Sequence, residues 1–388
     1  MSRARDLANV ADDVSTGTVV TTASPSLGRR NLIINGAMQV TQRGTSQSGV
    51  SNTSGYYVCD RWKGEETGFQ TPAFTISQET SVVPDGFGSV LKYDVTTADA
   101  TLGADNSWII QQRLEGQDLQ GLKFGTSSAQ SLTLSFWVYS NKTGTWIAEL
   151  QNKDATRHIS QAYTINSTNT WEQKTLTFAG DTVSGFGNDN GASLYVNFWL
   201  YGGTNFTSGT LATSWAATTN ANRAVGQVNF ADSTDNNFYI TGVQLEVGDT
   251  ATPFEHRSYG EELAACQRYY QTSFTTLPVA QGQGGLEKEN RYYAIGWKYS
   301  SGSNINSDMI QFATQMRSAP TVTTYNDTDL TGTSGRWSYY DGSVWRDSTG
   351  MSVGEFGING FRVELGNDRT SNSQNYLILG GWSAEAEL

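Results

Sequence analysis

An all-β fold is predicted: a jelly-roll β-sandwich, a short connector helix and a second, C-terminal β-sandwich domain. Three observations predict it. Charged residues make up 16% of the 388-residue chain, well under the usual quarter, while aromatic residues reach 12%. Aromatic and β-branched residues recur in short runs, and such side chains fill a pleated, half-buried surface. Turn formers interrupt those runs at short intervals, as in "SNKTGT", "NSTNT" and "GFGNDNGA". At this length two domains, or one large sandwich with appendages, are expected.

Residues 1–30 differ from the rest. "SRARDLANVADDV" places Leu7, Val10, Ala11 and Val14 on one helical face, and "STGTVVTTASPSLGRR" reads as an extended linker. So short a helix needs a partner surface, because nucleation is unfavourable in isolation. The jelly roll is expected over 31–258. It opens with the apolar run "NLIINGAMQV", expected as a strand closed by Asn35-Gly36, and a second aromatic run, "SGYYVCDRWKGEE". "SLTLSFWVYS" alternates most clearly, with Leu132, Leu134, Phe136 and Val138 on one face and Thr133, Ser135, Trp137 and Tyr139 on the other. Further strands are predicted at "TWIAELQN", "HISQAYTI", "TWEQKTLTF", "SLYVNFWLY", "GQVNF" and "FYITGVQLEV", the spacing of a jelly roll.

The connector helix is expected over 259–271. "YGEELAACQRYYQ" puts Leu263, Cys266 and Tyr270 at helical spacing, with Glu261 and Glu262 in the first turn, where the helix dipole favours them. A new strand series then fills 272–388, enough residues for a core of its own. Its last run, "NYLILGGWSAEAEL", is apolar on both faces, which at a sheet edge would promote aggregation unless partner chains cover it.

Several functions are disfavoured. A net charge of -12 argues against a nucleic-acid-binding face. No apolar run approaches the roughly 20 residues of a membrane span, so membrane insertion is not expected. Cys59 and Cys266 are expected as buried free thiols. With His158 and His256 the only histidines, neither a metal cluster nor a cofactor is expected, and no serine lies in a GxSxG turn. The carboxylates of Glu115 and Asp118, or Glu246 and Asp249, have no spacing that marks a glycosidase pair and read as surface or turn residues. The chain is not expected to be an enzyme.

In order from Arg30 to Tyr270, "NLIINGAMQVTQRGTS", "YYVCDRWK", "QQRLEGQDLQGLK", "SLTLSFWVYSNKTGT" and "ITGVQLEVGDTATPFEHRSYGEELAACQRYY", with the ending "SAEAEL", resemble tail-fibre or tail-associated proteins of tailed bacteriophages. "NLIINGAM" and "ITGVQLEVGDTATPFE" also resemble the first and last strands of carbohydrate-binding jelly-roll modules. The resemblance implies a virion location, docking on other tail proteins through residues 1–30, a homotrimer, and a tip that contacts a host cell-surface glycan. Many such modules hold a structural calcium with a Glu and an Asp. The corresponding positions here are Gln39 and Thr241 or Gly242, too little negative charge for a hard cation, so no metal is expected. The alternatives are a capsid-decorating or purely structural virion protein, and a polysaccharide-cleaving enzyme.

A sugar site wants exposed rings for the C–H faces and polar groups for the hydroxyls. "GRWSYYDGSVWRDS" meets that need with a tight turn at Asp341-Gly342, and its candidate glycan-binding residues are Trp337, Tyr340, Trp345 and Arg346. The spacing of two equally allows Trp337 and Tyr339 to share a core face, leaving Tyr340 exposed, and Trp345 fits either side. The outward face of the sandwich, with Trp137, Tyr139, Trp199 and Tyr201, is a second candidate, for sugar or for packing.

Overall fold

The computed structural model describes residues 30–68, 71–274, 292–298, 304–325, 337–340, 342–348, 350–366 and 375–388. The expected helix around Leu7–Val14 and its linker lie outside these residues, as do Arg336 and Asp341. The strands of the first unit are β1 (Ser46–Val50), β2 (Gly55–Tyr56), β3 (Lys63–Thr67), β4 (Ala73–Glu79), β5 (Val90–Thr97), β6 (Ser107–Glu115), β7 (Leu132–Ser140), β8 (Gly144–Asn152), β9 (Arg157–Ile165), β10 (Glu172–Phe178), β11 (Ala192–Gly202), β12 (Ala216–Ala217) and β13 (Asn237–Val247). They form a six-stranded sheet, β1-β4-β5-β13-β7-β10, facing a seven-stranded sheet, β12-β9-β8-β11-β6-β3-β2. From β5 to β8, and again from β9 to β11, each successive strand lies in the other sheet, as the connections of a jelly roll do.

Alternation in β7 drives the sandwich. Leu132, Leu134, Phe136 and Val138 are fully buried between the sheets. There they meet rings from the opposite layer, as in the edge-on contact of Phe136 with Phe198 at 4.9 Å and the stack of Trp146 on Phe238 at 4.9 Å. Tyr201 and Leu200 are both in this core, although they are sequence neighbours. A register shift between Trp199 and Tyr201 along β6 breaks the alternation and lets both point inward. Trp199 is buried on the other side of the sheet under the excursion that follows β11, against Ile109, Ile147, Phe206 and Ala224. Trp199 and Tyr201 are therefore packing residues, and the outward-face candidate shrinks to β7 and its neighbours.

The expected first strand is not one. Residues 31–44 run as irregular chain beside β13, with Asn35 and Met38 at positive φ. Beside two backbone bonds to β13, from Leu32 N–H to the Leu245 carbonyl and from Val243 N–H to the Gly36 carbonyl, asparagine side chains stand in for a ladder: Asn31 donates to the Val243 carbonyl and accepts from Leu245 N–H, while Asn35 donates to the carbonyls of Val40 and Asp60.

Helix α1 (Tyr259–Gln267) is shorter than the connector predicted. Ser258 caps it, accepting from Glu261 N–H while the Glu261 carboxylate accepts from Ser258 N–H, a reciprocal box that satisfies two otherwise free donors. Tyr270, expected at the helix end, instead starts a strand.

The second unit contains β14 (Tyr270–Thr272), β15 (Tyr292–Trp297), β16 (Ile305–Ser307), β17 (Ile310–Gln311), β18 (Thr321–Tyr325), β19 (Ser338–Tyr340), β20 (Trp345–Asp347), β21 (Gly350–Gly357), β22 (Gly360–Gly366) and β23 (Asn375–Glu385). All join one ten-stranded sheet that closes over a core including Ile305, Phe361, Val363, Ile378 and Trp382. The long β23 is its centre. Its first half pairs with β15 and β19, its second with β14 and β18. The expected exposed edge is thus covered within the chain, which explains how a run apolar on both faces is tolerated.

The two units meet over buried charge. Arg61 is fully buried between the Glu387 carboxylate, with which it pairs, and the Tyr269 ring, whose centroid lies 3.4 Å from its guanidinium. Arg43 lies 3.5 Å from Asp60 and 3.2 Å from Glu387, stacked over Tyr270. Arg268 and the Tyr269 hydroxyl both donate to Glu115. The chain end completes the seam: the Leu388 carbonyl accepts from Arg113 at 2.7 Å.

Candidate functional site

Strand pairing lines up a group of partly buried aromatic residues on the outer face of the six-stranded sheet. In β7 and β13, Tyr139 pairs with Tyr239 and Trp137 with Thr241, so these side chains share one face. Trp171 enters from just before β10, which runs antiparallel to β7. Its ring lies 5.4 Å from Tyr139 and 6.3 Å from Tyr239, and the two tyrosines meet edge-on at 5.0 Å. Tyr239 is mostly covered and supports the other two, which are half-buried.

The strip continues past Trp137 because of Gly242. This glycine has φ +60 and lies in the bulge of β13 between Thr241 and Gln244, and a Cβ there would meet the Phe87 ring at 2.6 Å and Trp137 at 3.0 Å. Phe87 lies 5.1 Å from Phe254 and 5.4 Å from His256. Polar groups border the rings. Lys92 is 5.5 Å from the Tyr239 centroid and 3.5 Å from Asp94, and the exposed Gln173 pairs across from Trp137. Burial raises the pKa of the Tyr239 hydroxyl, so it stays protonated and able to donate over the physiological range.

The hairpin predicted to bind glycan divides. Trp337 is completely buried in the C-terminal core, its Nε1 donating to the Gly381 carbonyl at 3.2 Å, and no ligand can stack on it from solvent. That corrects the sequence prediction: one face of β19 closes the sheet, and Trp337 occupies the space left by Gly380, whose missing Cβ would lie 2.3 Å from the indole. Tyr339 is buried with it. Tyr340 and Trp345 are 37% and 44% exposed, paired across β19 and β20 with ring centroids 5.6 Å apart. Arg346 is exposed beside them.

The calcium positions of the resembling modules can be tested on geometry. The carbonyls of Ala37 and Met38 accept from Ser89 Oγ at 3.0 and 2.9 Å, and those of Met38 and Gln39 from Gln78 Nε2 at 2.7 and 3.3 Å. Thr241 Oγ1 donates to the Ser89 carbonyl at 2.9 Å. Neutral donors thus point hydrogens at the oxygens a cation would need, and the residues do not fit a metal. The thermal midpoint of the jelly roll is expected to be unchanged by EDTA or by millimolar calcium in a calorimetric scan; a rise with calcium would contradict this.

Trp171 was not legible as a site residue, since its neighbours come from β7 and β13. Its place directly before a strand was the only local signal.

No protein-family model matches the chain, and no curated protein matches it. Solved structures similar to it include the enzymatically active domain of tailspike protein 4 of bacteriophage CBA120, at 14% identity and TM-score 0.30, covering 56% of this chain and 21% of that one. TmCBM61 in complex with β-1,4-galactotriose is similar at 11% identity and TM-score 0.28, covering 56% and 99%. The family 30 carbohydrate-binding module of a cellulosomal cellulase of Clostridium thermocellum is similar at 12% identity and TM-score 0.29, covering 57% and 98%. The chain spans about a fifth of the tailspike domain. Likeness at these scores carries no functional argument; the jelly roll rests on the strand order above.

Proposed function

We propose that this chain is a bacteriophage virion protein of the tail-fibre type that recognises a host-surface glycan and breaks no covalent bond. The observation that carries the binding reading is the half-buried strip of Trp171, Tyr139 and Trp137, which lies on the outer sheet face rather than in the core and is bordered by Lys92, Asp94 and Gln173. Rings take the apolar C–H faces of a sugar, and the border takes its hydroxyls. The sequence resemblance supports the virion role, with residues 1–30 as the segment that docks on other tail proteins. Each site alone binds modestly, and several chains on one particle raise adsorption through effective concentration.

The test uses labelled full-length protein on candidate host cells, before and after periodate oxidation of their surface sugars. The native protein is expected to bind untreated cells only. The double substitution Y139A/W171A is expected to remove most binding while leaving the circular dichroism unchanged, because both rings are half-buried on the outer face and neither belongs to the sandwich core. Equal binding by the variant, or indifference to periodate, would sink this reading.

A further inference from the structure

The outer face of the seven-stranded sheet, opposite the aromatic strip, carries a polar group that the glycan reading does not use. Gln151 of β8 pairs with Tyr195 of β11, and Tyr195 with Arg113 of β6, so the three side chains cross the sheet in one row. Lys153 follows directly after β8. Its Nζ lies 5.3 Å from the Tyr195 ring centroid, and the Arg113 guanidinium lies 4.6 Å from the same point.

Most charges around this row are matched. Arg113 donates to the Glu65 carboxylate at 3.3 Å, to Gln111 and to the Leu388 carbonyl, Arg223 is held by Glu149, and Asp154 accepts from Gly187 N–H. Three donors are left over. The Lys153 ammonium makes no ion pair or hydrogen bond among the described residues, and neither does the Tyr195 hydroxyl. Gln151 is only 5% exposed, yet its amide has no partner among the described residues and is not sealed from solvent. A buried amide left unpaired is costly, and a ligand that pairs it recovers that cost.

We propose that Lys153, Gln151 and Tyr195 hold the carboxylate of an acidic sugar, so that the glycan recognised carries uronic acid residues; this extends the glycan reading and rests on it. A carboxylate has acceptor sites enough for an ammonium, an amide N–H and a phenol O–H together. Its single charge matches the one cation that lacks a counter-ion. A doubly charged phosphate would bring a second negative charge toward Glu65 and Asp154, whose fields already act on Tyr195. Burial raises the pKa of the Tyr195 hydroxyl and keeps it a donor, while burial and the charges of Arg223 and Arg113 lower that of Lys153, a repulsion that a bound anion relieves. The Gln151 carbonyl oxygen remains to accept from a ring hydroxyl of the sugar.

Chromatography of the full-length protein on beads carrying glucuronate, glucose or a plain carboxylate linker tests this at physiological salt. A chain at net charge -12 is repelled by anionic beads, so retention on glucuronate requires a specific site. The native protein is expected to be retained on glucuronate alone. K153Q is expected to lose that retention with an unchanged circular dichroism, since Lys153 is exposed. Y139A/W171A is expected to be retained as the native protein is, because the strip lies on the other sheet. Native protein that passes glucuronate without delay would overturn the proposal, and so would equal retention on glucose or on the plain carboxylate. Retention of K153Q, or its loss in Y139A/W171A, would overturn it as well. The glycan reading fails separately, through cell binding indifferent to periodate.

Discussion

Replacing Glu149 with glutamine is expected to destabilise the jelly roll by roughly 3–5 kcal/mol, the range for removing one partner of a buried ion pair. Glu149 is fully buried on β8 and accepts from five donors. Arg223 Nε and Nη2 approach at 2.8 and 2.9 Å, His158 Nδ1 at 3.0 Å, Asn197 Nδ2 at 2.9 Å and Trp199 Nε1 at 3.2 Å. Burial alone would raise its pKa, but the Arg223 charge and the hydrogen bonds from His158 and Arg223 hold it at about 2. A lowered native pKa means the carboxylate stabilises the fold above its ordinary value near 4.5 and loses that contribution as pH falls toward 2.

Glutamine would turn an amide toward an arginine and leave Arg223 buried without its countercharge. Arg223 also anchors the excursion that covers Trp199, so packing on that side of the sheet is expected to loosen as well. Urea denaturation of E149Q against D94N measures this. Asp94 is paired with Lys92 near the surface, and its loss is expected to cost less than about 1 kcal/mol. Equal midpoints for the two variants would refute the expectation.

The second large effect is a pH dependence with the opposite sign. Asp60 is buried at the seam between the two units, where burial raises its pKa from 3.8 to about 7 against the opposing charge of Arg43 and the hydrogen bonds from Gln42. The native state therefore holds a proton on Asp60 that the unfolded chain has released between those two values. Stability is expected to fall as pH rises from about 4 to about 7, by at most roughly 4 kcal/mol from a shift of this size.

The carboxylates held below their ordinary value of 4.5, Glu79, Glu115, Glu149, Glu172 and Glu255, oppose this slope only below about pH 5, so it is read between pH 5 and 8. D60N removes the titrating group while Arg43 keeps Glu387 as a partner at 3.2 Å. Its unfolding free energy is expected to be flat between pH 5 and 7, and to exceed that of the native protein at pH 8. Denaturation curves at pH 5, 6, 7 and 8 decide the matter. A native protein with no slope, or a variant that keeps the slope, would remove Asp60 as the cause.

The sequence by itself determined the all-β class and most strand positions in the jelly roll. Those depend on local properties: alternation in "SLTLSFWVYS", and turn formers between the runs. The helix was legible for the same reason, since Ser258 and Glu261 stand three apart at its start. Where the sequence misled, a distant partner had overridden the local pattern. "NLIINGAMQV" has the composition of a strand, yet side chains, among them Asn31, Asn35 and Gln112, satisfy much of its backbone. Trp199 and Tyr201 alternate in sequence and are both buried, because a bulge turns one inward and an excursion covers the other.

Only the tertiary structure decided which rings face solvent. Trp337 and Trp345 flank one hairpin with similar neighbours, and they differ because Gly380 on β23 leaves room for one of them alone in the core. The aromatic strip joins Trp171, Tyr139 and Tyr239 from three separate strand regions, and strand pairing sets Ile295, Leu377, Tyr340 and Trp345, from four strands, side by side. Exposure depends on which strands lie side by side and in what register, and register is set by long-range pairing that no short stretch of sequence contains.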